Sequence, residues 1–432
     1  MAWEVRLSVF SRLIAGVAGA LMLAGAAAPV AAQDSNLKGS ITVWTWPDND
    51  KAFAETLKVF NAQHPNVRVQ VQAFPPGETY KNKLMSALLA GSGPDVAMIE
   101  INSVALFRGR PEFLDLSKAP YNAGQYASLY EPFAWNNVTS PDGRIFALPK
   151  NTGPGGLFYR RDLFAAAGLP SEPAEVAKIL KTWDDYIETG RKLAKANQQW
   201  MVSTPLEMIR AYTAQSGVSY FDKDGQPNIG GPVFRKAFEL VKKAGEAGLI
   251  SPFEQWSPEW QGAIARGAVA TYPAGNWWGG FLKTAYAQNQ GGKWGVVPAP
   301  ANAEGKTAFN YGGDYIGVLN WSETKDAAVA FIRWVTQNDE SLRIMYQKND
   351  LYPALAKASR AEWINHNDPY FVNQNLNEIF EPVNHSMTPL VTHPLDLAAA
   401  AAVRNAANNI IRKGMAVDEA IEGALREVRA KM

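Results

Sequence analysis

Cysteine is absent from all 432 residues. Disulfides, thiol nucleophiles, zinc–thiolate sites and iron–sulfur clusters are thereby excluded, and so is the lipidated cysteine that tethers some exported proteins to a membrane face. Stability must come from packing, which a chain of this length can supply, and the length predicts two or three domains. Long apolar runs are nearly absent too. The one candidate, Leu13 to Ala28, carries no charge but at about 16 residues is short of the ~20 a spanning helix needs. Arg6 and Arg12 flank it with positive charge, and Val30 and Ala32 stand at −3 and −1 of a cut before Gln33. Residues 1–32 therefore read as a secretory leader, with a retained membrane anchor as the alternative. The expected address is the periplasm, exported and without a lipid anchor; secretion into the medium is the second reading.

An excess of charge is also missing. With Glu4, Arg6 and Arg12 set aside in the leader, basic and acidic residues balance at 40 each, and no basic stripe points to nucleic acid. The four histidines (His64, His366, His385, His393) show no metal-ligand spacing, so neither a metal nor a cofactor is expected. The run from Gly153 to Gly156 lacks the Lys-Ser/Thr of a phosphate-gripping loop, and no Gly-x-Ser-x-Gly nucleophile elbow occurs. Carboxylates abound, and a glycan hydrolase needs only two of them suitably spaced, so that class stays open as the enzymatic alternative. A surface adhesin or scaffold is disfavoured, because there is neither a repeat nor an anchor. What is abundant is tryptophan, 14 in all, with 15 tyrosines. Aromatics bury large areas in cores, or line clefts that grip flat ligands with polar edges.

The chain after the leader alternates strand and helix signals. Ile41–Trp46 is β-rich, Phe53, Leu57 and Phe60 recur at helical spacing, and Val67, Val69 and Val71 alternate with polar residues. Tyr80–Ala90 is again helical and ends at Gly91, and Val96–Ile99 is a short buried strand. Strand–helix–strand–helix–strand with short connections implies a parallel sheet covered on both faces, an α/β fold. Ligands of such sheets sit beyond the carboxyl ends of the strands. Here those ends hold Trp44, Trp46 and Asp48, and Glu100 with Asn102. Further on, Thr182 with Asp185 predicts a capped helix, and Gly231–Ala247 an amphipathic helix closed by Gly248. Ser257–Pro258 starts a short helix, Ala268–Tyr272 and Tyr315–Leu319 read as strands, and Ala327–Val335 as a helix. Val296–Pro300 reads as a stiff connector, and two helices close the chain, one stopping at Gly414 and one over Asp418–Arg429.

Several segments resemble the family 1 extracellular solute-binding proteins, the substrate receptors of ABC sugar importers. They include Ile41–Trp46, Phe60–Val69, Leu89–Val96, Gly143–Pro149, Gly156–Phe164 with Ala167–Pro170, Thr182–Tyr186, and Gly312–Val318 followed by Ala327–Trp334. Each motif is weak alone; their common order along the chain is specific. The resemblance implies a two-lobed α/β fold with the ligand between the lobes. It implies three crossing segments, near Leu148–Thr152, Val296–Pro300 and Asn349–Tyr352. Lobe one then holds 38–148 and 301–348, and lobe two 149–300 and 349–432. It implies a carbohydrate ligand, a permease pair of the inner membrane with its ATPase as partners, no nucleic acid, no enzymatic activity, and a monomer. A non-sugar polar solute such as a glycerol phosphate or a cation is the alternative ligand.

A sugar presents apolar faces and a rim of hydroxyls, so its receptor wants aromatic platforms and polar side chains. Trp277 sits in a glycine-flanked loop where the family often places a stacking tryptophan, with Asn276 beside it as a two-sided hydrogen-bonder. Trp278 is a second candidate; if neighbours point oppositely, only one of the pair faces the cleft. Trp46 with Asp48, and Glu100 with Asn102, lie at strand ends. Gly312 and Gly313 allow backbone to approach a ligand closely, and Asp314 accepts from hydroxyls. Thr152 and Tyr352 stand at the first and third crossings. Arg and Lys are sparse in these loops, which favours a neutral sugar over an anion; Asp48, Glu100 and Asp314 together leave a cation open.

Overall fold

The computed structural model describes residues 37–47 and 49–432, so the expected leader and Asp48 lie outside the described residues. The expected alternation opens the fold: β1 (Gly39–Thr45), a helix over Asn49–Gln63, β2 (Val67–Ala73), a helix over Glu78–Ala90, and β3 (Val96–Glu100). β1 pairs in parallel with β2, Gly39 opposite Val67 through Thr45 opposite Ala73, and with β3 from Val43 opposite Val96. The second helix stops where Gly91 turns left-handed at φ 65°, a conformation that costs glycine nothing.

The remaining strands are β4 (Leu148–Arg160), β5 (Trp200–Val202), β6 (Val269–Gly275), β7 (Trp294–Val297), β8 (Asn310–Val318) and β9 (Tyr352–Pro353). They join the first three in one path, β2-β1-β3-β8-β4-β6-β5, with β7 and β9 attached to β4. β8 runs antiparallel to β3, from Val96 opposite Val318 to Glu100 opposite Asp314. β4 belongs to both lobes. Its first half pairs with β8 and its second half, from Gly155, with β6 and β7. All thirteen residues of β4 are buried, and its prolines fall where the register with β8 shifts, the places a strand tolerates a missing N–H.

The first core packs Ile41, Val43, Val96 and Met98 of the sheet against Phe53, Phe60, Leu84, Phe331 and Val335 of the helices. The second lobe is layered on both faces of its strands, because side chains alternate along β4. Leu157 and Tyr159 face a core with helices Pro205–Gln215, Pro232–Glu246, Asp396–Lys413 and Val417–Arg429. Phe158 faces the other way, into Trp260, Tyr272, Trp294 and Phe371.

Near the second and third expected crossings the chain makes contacts on both sides of them. Beyond Pro300 the chain stays with the second lobe: the Gln215 amide donates to the carbonyls of Pro300 and Thr307, Asn302 donates to Ser216, and Phe309 enters the second core. The second crossing therefore lies in β8, ten residues or so beyond the proline-rich connector. Just after Asn349 the chain touches both lobes: the Asn276 amide donates to the Asp350 carbonyl and Tyr352 enters the third core, and the residues that follow turn to the first lobe. Leu351, Ala354, Leu355 and Ala358 complete its core, and the Glu131 N–H donates to the Ala354 carbonyl.

Candidate ligand-binding cleft

The strand ends of the first lobe and the two crossing strands meet at one place. β3 ends at Glu100, and the register sets Asp314 of β8 opposite both Glu100 and Asn151. Beneath them Lys150 Nζ donates to Asn49 Oδ1 at 2.8 Å and to Asn151 Oδ1 at 3.1 Å. Burial pushes the Asp314 carboxyl up and the Lys150 ammonium down, and the attraction between them opposes both shifts. Glu100 is likewise raised by burial, against the Asn102 amide that donates to it at 2.5 Å and against the charge of Arg210. Arg210 belongs to the helix Pro205–Gln215 of the second lobe. Its guanidinium donates to the Tyr311 hydroxyl at 3.2 Å and lies over that ring.

A pocket of about 650 Å³, counted with its open mouth, lies between these groups. One wall is Ile101 and Asn102; the floor is Asn310, Tyr311 and Gly312 of β8; the opposite wall is Arg210, Thr213, Tyr220 and the segment from Leu390 to Asp396. Buried polar atoms on these walls lack a hydrogen-bond partner, among them Asn310 Oδ1, Ser219 Oγ and Asp396 Oδ1. Such atoms are costly unless something satisfies them, and hydroxyl groups of a ligand can. Burial pushes the Asp396 carboxyl up to about 7, against the N–H of His393 and the charge of Arg108.

Trp277 is outside the pocket lining but packs on the Tyr311 of its floor, half-buried between the first and third cores. Its indole Nε1 donates to the Tyr311 carbonyl at 2.6 Å, and its ring meets that of Tyr311 edge-on. Gly312 is glycine for this ring: at φ 140° a Cβ would stand 2.7 Å from Nε1. The residue expected to bring backbone near a ligand therefore also seats the indole. Gly313, at φ 130°, is pressed against the Asn151 carbonyl instead.

The other expected contacts divide. Asn102 and Gly312 line the pocket, and Glu100 stands directly behind Asn102. Trp46 is half-buried and packs edge-on against Tyr80, at the strand end but outside the pocket lining. Four residues have their side chains committed elsewhere. Trp278 is 2% exposed, in the third core against Tyr272, with its ring edge-on to that of Trp277 at 6.2 Å. Tyr352 is fully buried, its hydroxyl donating to Asn377 at 2.7 Å. Thr152 donates to Asn384, which donates on to Glu131, a knot that ties the crossing strand to both sides. The Asn276 amide donates to the Asp350 carbonyl. Asp48 lies outside the described residues. Sequence reading missed Arg210, Tyr220, Thr392 and Asp396, which arrive from distant elements. The Arg210 helix did leave a signal, Thr204-Pro205 followed by Glu207, whose carboxylate accepts from the Thr204 N–H and the Ser203 hydroxyl.

Comparison with known proteins was made against this geometry. A family model described as bacterial extracellular solute-binding protein matches residues 55–371. A lactose-binding protein of Rhizobium radiobacter is 26% identical over 348 residues, 76% of this chain and 77% of the relative. An arabinooligosaccharide-binding protein of Bacillus subtilis is 25% identical, covering 74% of each chain. Among solved structures, the ABC-transporter binding protein of B. animalis subsp. lactis in complex with β-1,6-galactobiose superposes with a TM-score of 0.77 at 23% identity, over 92% of this chain and 98% of that one. A family 1 extracellular solute-binding protein gives 0.76 at 24% identity, over 90% and 99%.

Proposed function

This chain belongs to the bacterial extracellular solute-binding proteins, and from that premise we propose that it captures a neutral carbohydrate between its lobes and hands it to an ABC importer. The observation that carries the reading is the pocket itself. A phenol lines it, an indole packs edge-on against that phenol, and unpartnered polar atoms of β8 and of the second lobe lie on its walls, the combination that a ring with apolar faces and a hydroxyl rim needs. Relatives that bind lactose and arabinooligosaccharides, and a structural neighbour holding β-1,6-galactobiose, support the same ligand class. Release from the cytoplasm to the periplasm without a lipid anchor, action as a monomer, and delivery to a permease pair with its ATPase complete the proposal, as does binding without hydrolysis.

Arg210 favours a second reading, an anionic solute such as a glycerol phosphate, because a guanidinium lines the pocket after all. The neutral sugar is preferred because Glu100 already offsets that charge and Tyr311 already accepts from it.

Thermal unfolding of residues 33–432 against sugars, polyols and glycerol phosphates tests both. A ligand at ~100 times its Kd stabilises by about 2.7 kcal/mol. At roughly 2–4 °C per kcal/mol this is a rise of several degrees. The expected result is a rise with one sugar class that Trp277→Ala abolishes, with the sugar recovered intact after unfolding. A rise with phosphates alone would replace the sugar reading by the anionic one; recovery of shortened glycan would replace it by hydrolysis.

A further inference from the structure

The aromatic wall continues past Trp277. Ring contacts run outward from Tyr311 to Trp277 at 5.8 Å between centroids, from Trp277 to Phe281 at 5.6 Å, and from Phe281 to Trp256 at 5.8 Å. The first three rings are half-buried; Trp256 is 42% exposed, the one aromatic among the large hydrophobic side chains left exposed in the described residues. Its backbone is also strained, at φ 72°, a region that bulky residues seldom occupy. The strain is held in place: the Trp256 carbonyl accepts from the Gln261 amide at 3.2 Å, and the indole leans on Trp260 at 5.1 Å. Strain kept at an exposed, fixed aromatic points to use rather than to packing.

The same loop touches the Arg210 helix at a second place. Gln255, next to it in the chain, points its side-chain amide at Glu207 Oε1 of the Arg210 helix at 3.5 Å. Trp256 is thereby fixed relative to the pocket through two independent routes, a line of rings and a polar contact. A monosaccharide lying at Tyr311 and Trp277 would leave Trp256 with nothing to cover.

We propose that Trp256 is an outer stacking platform, and that the ligand is an oligosaccharide whose first unit lies at Tyr311 and Trp277 and whose later units reach Trp256. This rests on the carbohydrate reading above.

The test is calorimetric titration of wild type, Trp256→Ala, Trp256→Phe and Trp277→Ala with β-galacto- and arabino-oligosaccharides of one to four units. In the expected result Trp256→Ala loses roughly tenfold in affinity for the longer members while the shortest bound member changes by about twofold or less. Trp256→Phe recovers most of that loss, and Trp277→Ala loses affinity at every length. Equal loss at every length, or at none, would overturn the proposal. Should Trp256→Ala fail to fold, acrylamide quenching of the wild type decides. Longer members must shield one more indole than the shortest, and no added shielding would overturn it. If sugars bind and only the length dependence is missing, the outer platform falls and the receptor reading stands. If neither series binds wild type, the carbohydrate reading falls and takes this inference with it.

Discussion

Trp277 is held by its neighbours' lack of side chains as much as by contacts. Gly312 at φ 140° leaves the space that the indole occupies. A Gly312→Ala change adds backbone strain and a Cβ against Nε1, at a cost of about 1–3 kcal/mol. Its expected effect is a lower melting temperature together with weakened sugar binding. Equal loss of stability with binding intact would mean that the ring's position is immaterial to the ligand. Asp396 makes a different kind of prediction. Its carboxyl ionises near 3.8 in the unfolded chain and about 7 in the folded one, with burial as the main cause. Between those values the folded state holds the extra proton, so this group's contribution to stability falls as pH rises from about 4 to about 7 and stays low above. Asp396→Asn should be more stable than wild type at pH 8, by on the order of 2 kcal/mol, and indistinguishable at about pH 3. Denaturant titration at the two pH values reads this directly, and no difference at pH 8 would refute the buried, unsatisfied carboxyl.

The elements that were legible are those whose periodicity changes cleanly. β1 and β2 alternate buried and more exposed positions, β3 is a short continuous apolar run, and Gly91, Gly248 and Gly414 mark helix ends by their left-handed φ. The helix Pro205–Gln215 left no such stripe, because every residue of it except Arg210 is buried, the polar Glu207, Thr213 and Gln215 included, so polarity marks no outer face. The start of β8 was likewise hidden: Asn310 to Asp314 is too polar and glycine-rich to read as strand, and only pairing with β3 and β4 makes it one. The site divided in the same way. Asn102, Trp277 and Gly312 lie where local rules put ligands, at strand ends and in glycine-flanked loops. Arg210, Thr392 and Asp396 come to the pocket by tertiary folding alone, and nothing in their own neighbourhoods announces it.

Across the whole molecule, gripping and closing are one event. Arg108 follows Phe107 of the first core, and it donates to the Thr392 hydroxyl of the second lobe at 2.7 Å while also holding Asn137. Thr392 and Asp396 line the pocket, so the latch and the ligand share a wall. A hydrogen bond from a charged donor contributes about 1.5–3 kcal/mol. Arg108→Ala should therefore weaken sugar binding by roughly tenfold or more without touching the ligand, by disfavouring the closed arrangement. Small-angle scattering of the sugar-bound variant should show a larger radius of gyration than wild type. An unchanged radius with unchanged affinity would mean that Arg108 is no latch.

The shared strand and the late helices also set an order of events in time. The first lobe's sheet lacks its link to β4 until β8 is made, and the second core lacks Ala399, Val403, Ile421 and Val428 until the last helices exist. The second lobe therefore cannot finish while the chain is still being synthesised. A chain stopped at Gly414 would leave the second core open on one side, and contacts this distant in sequence make for slow folding. The ribosome thus releases a chain whose second lobe is still open, and open chain is what can be threaded through a narrow translocation channel.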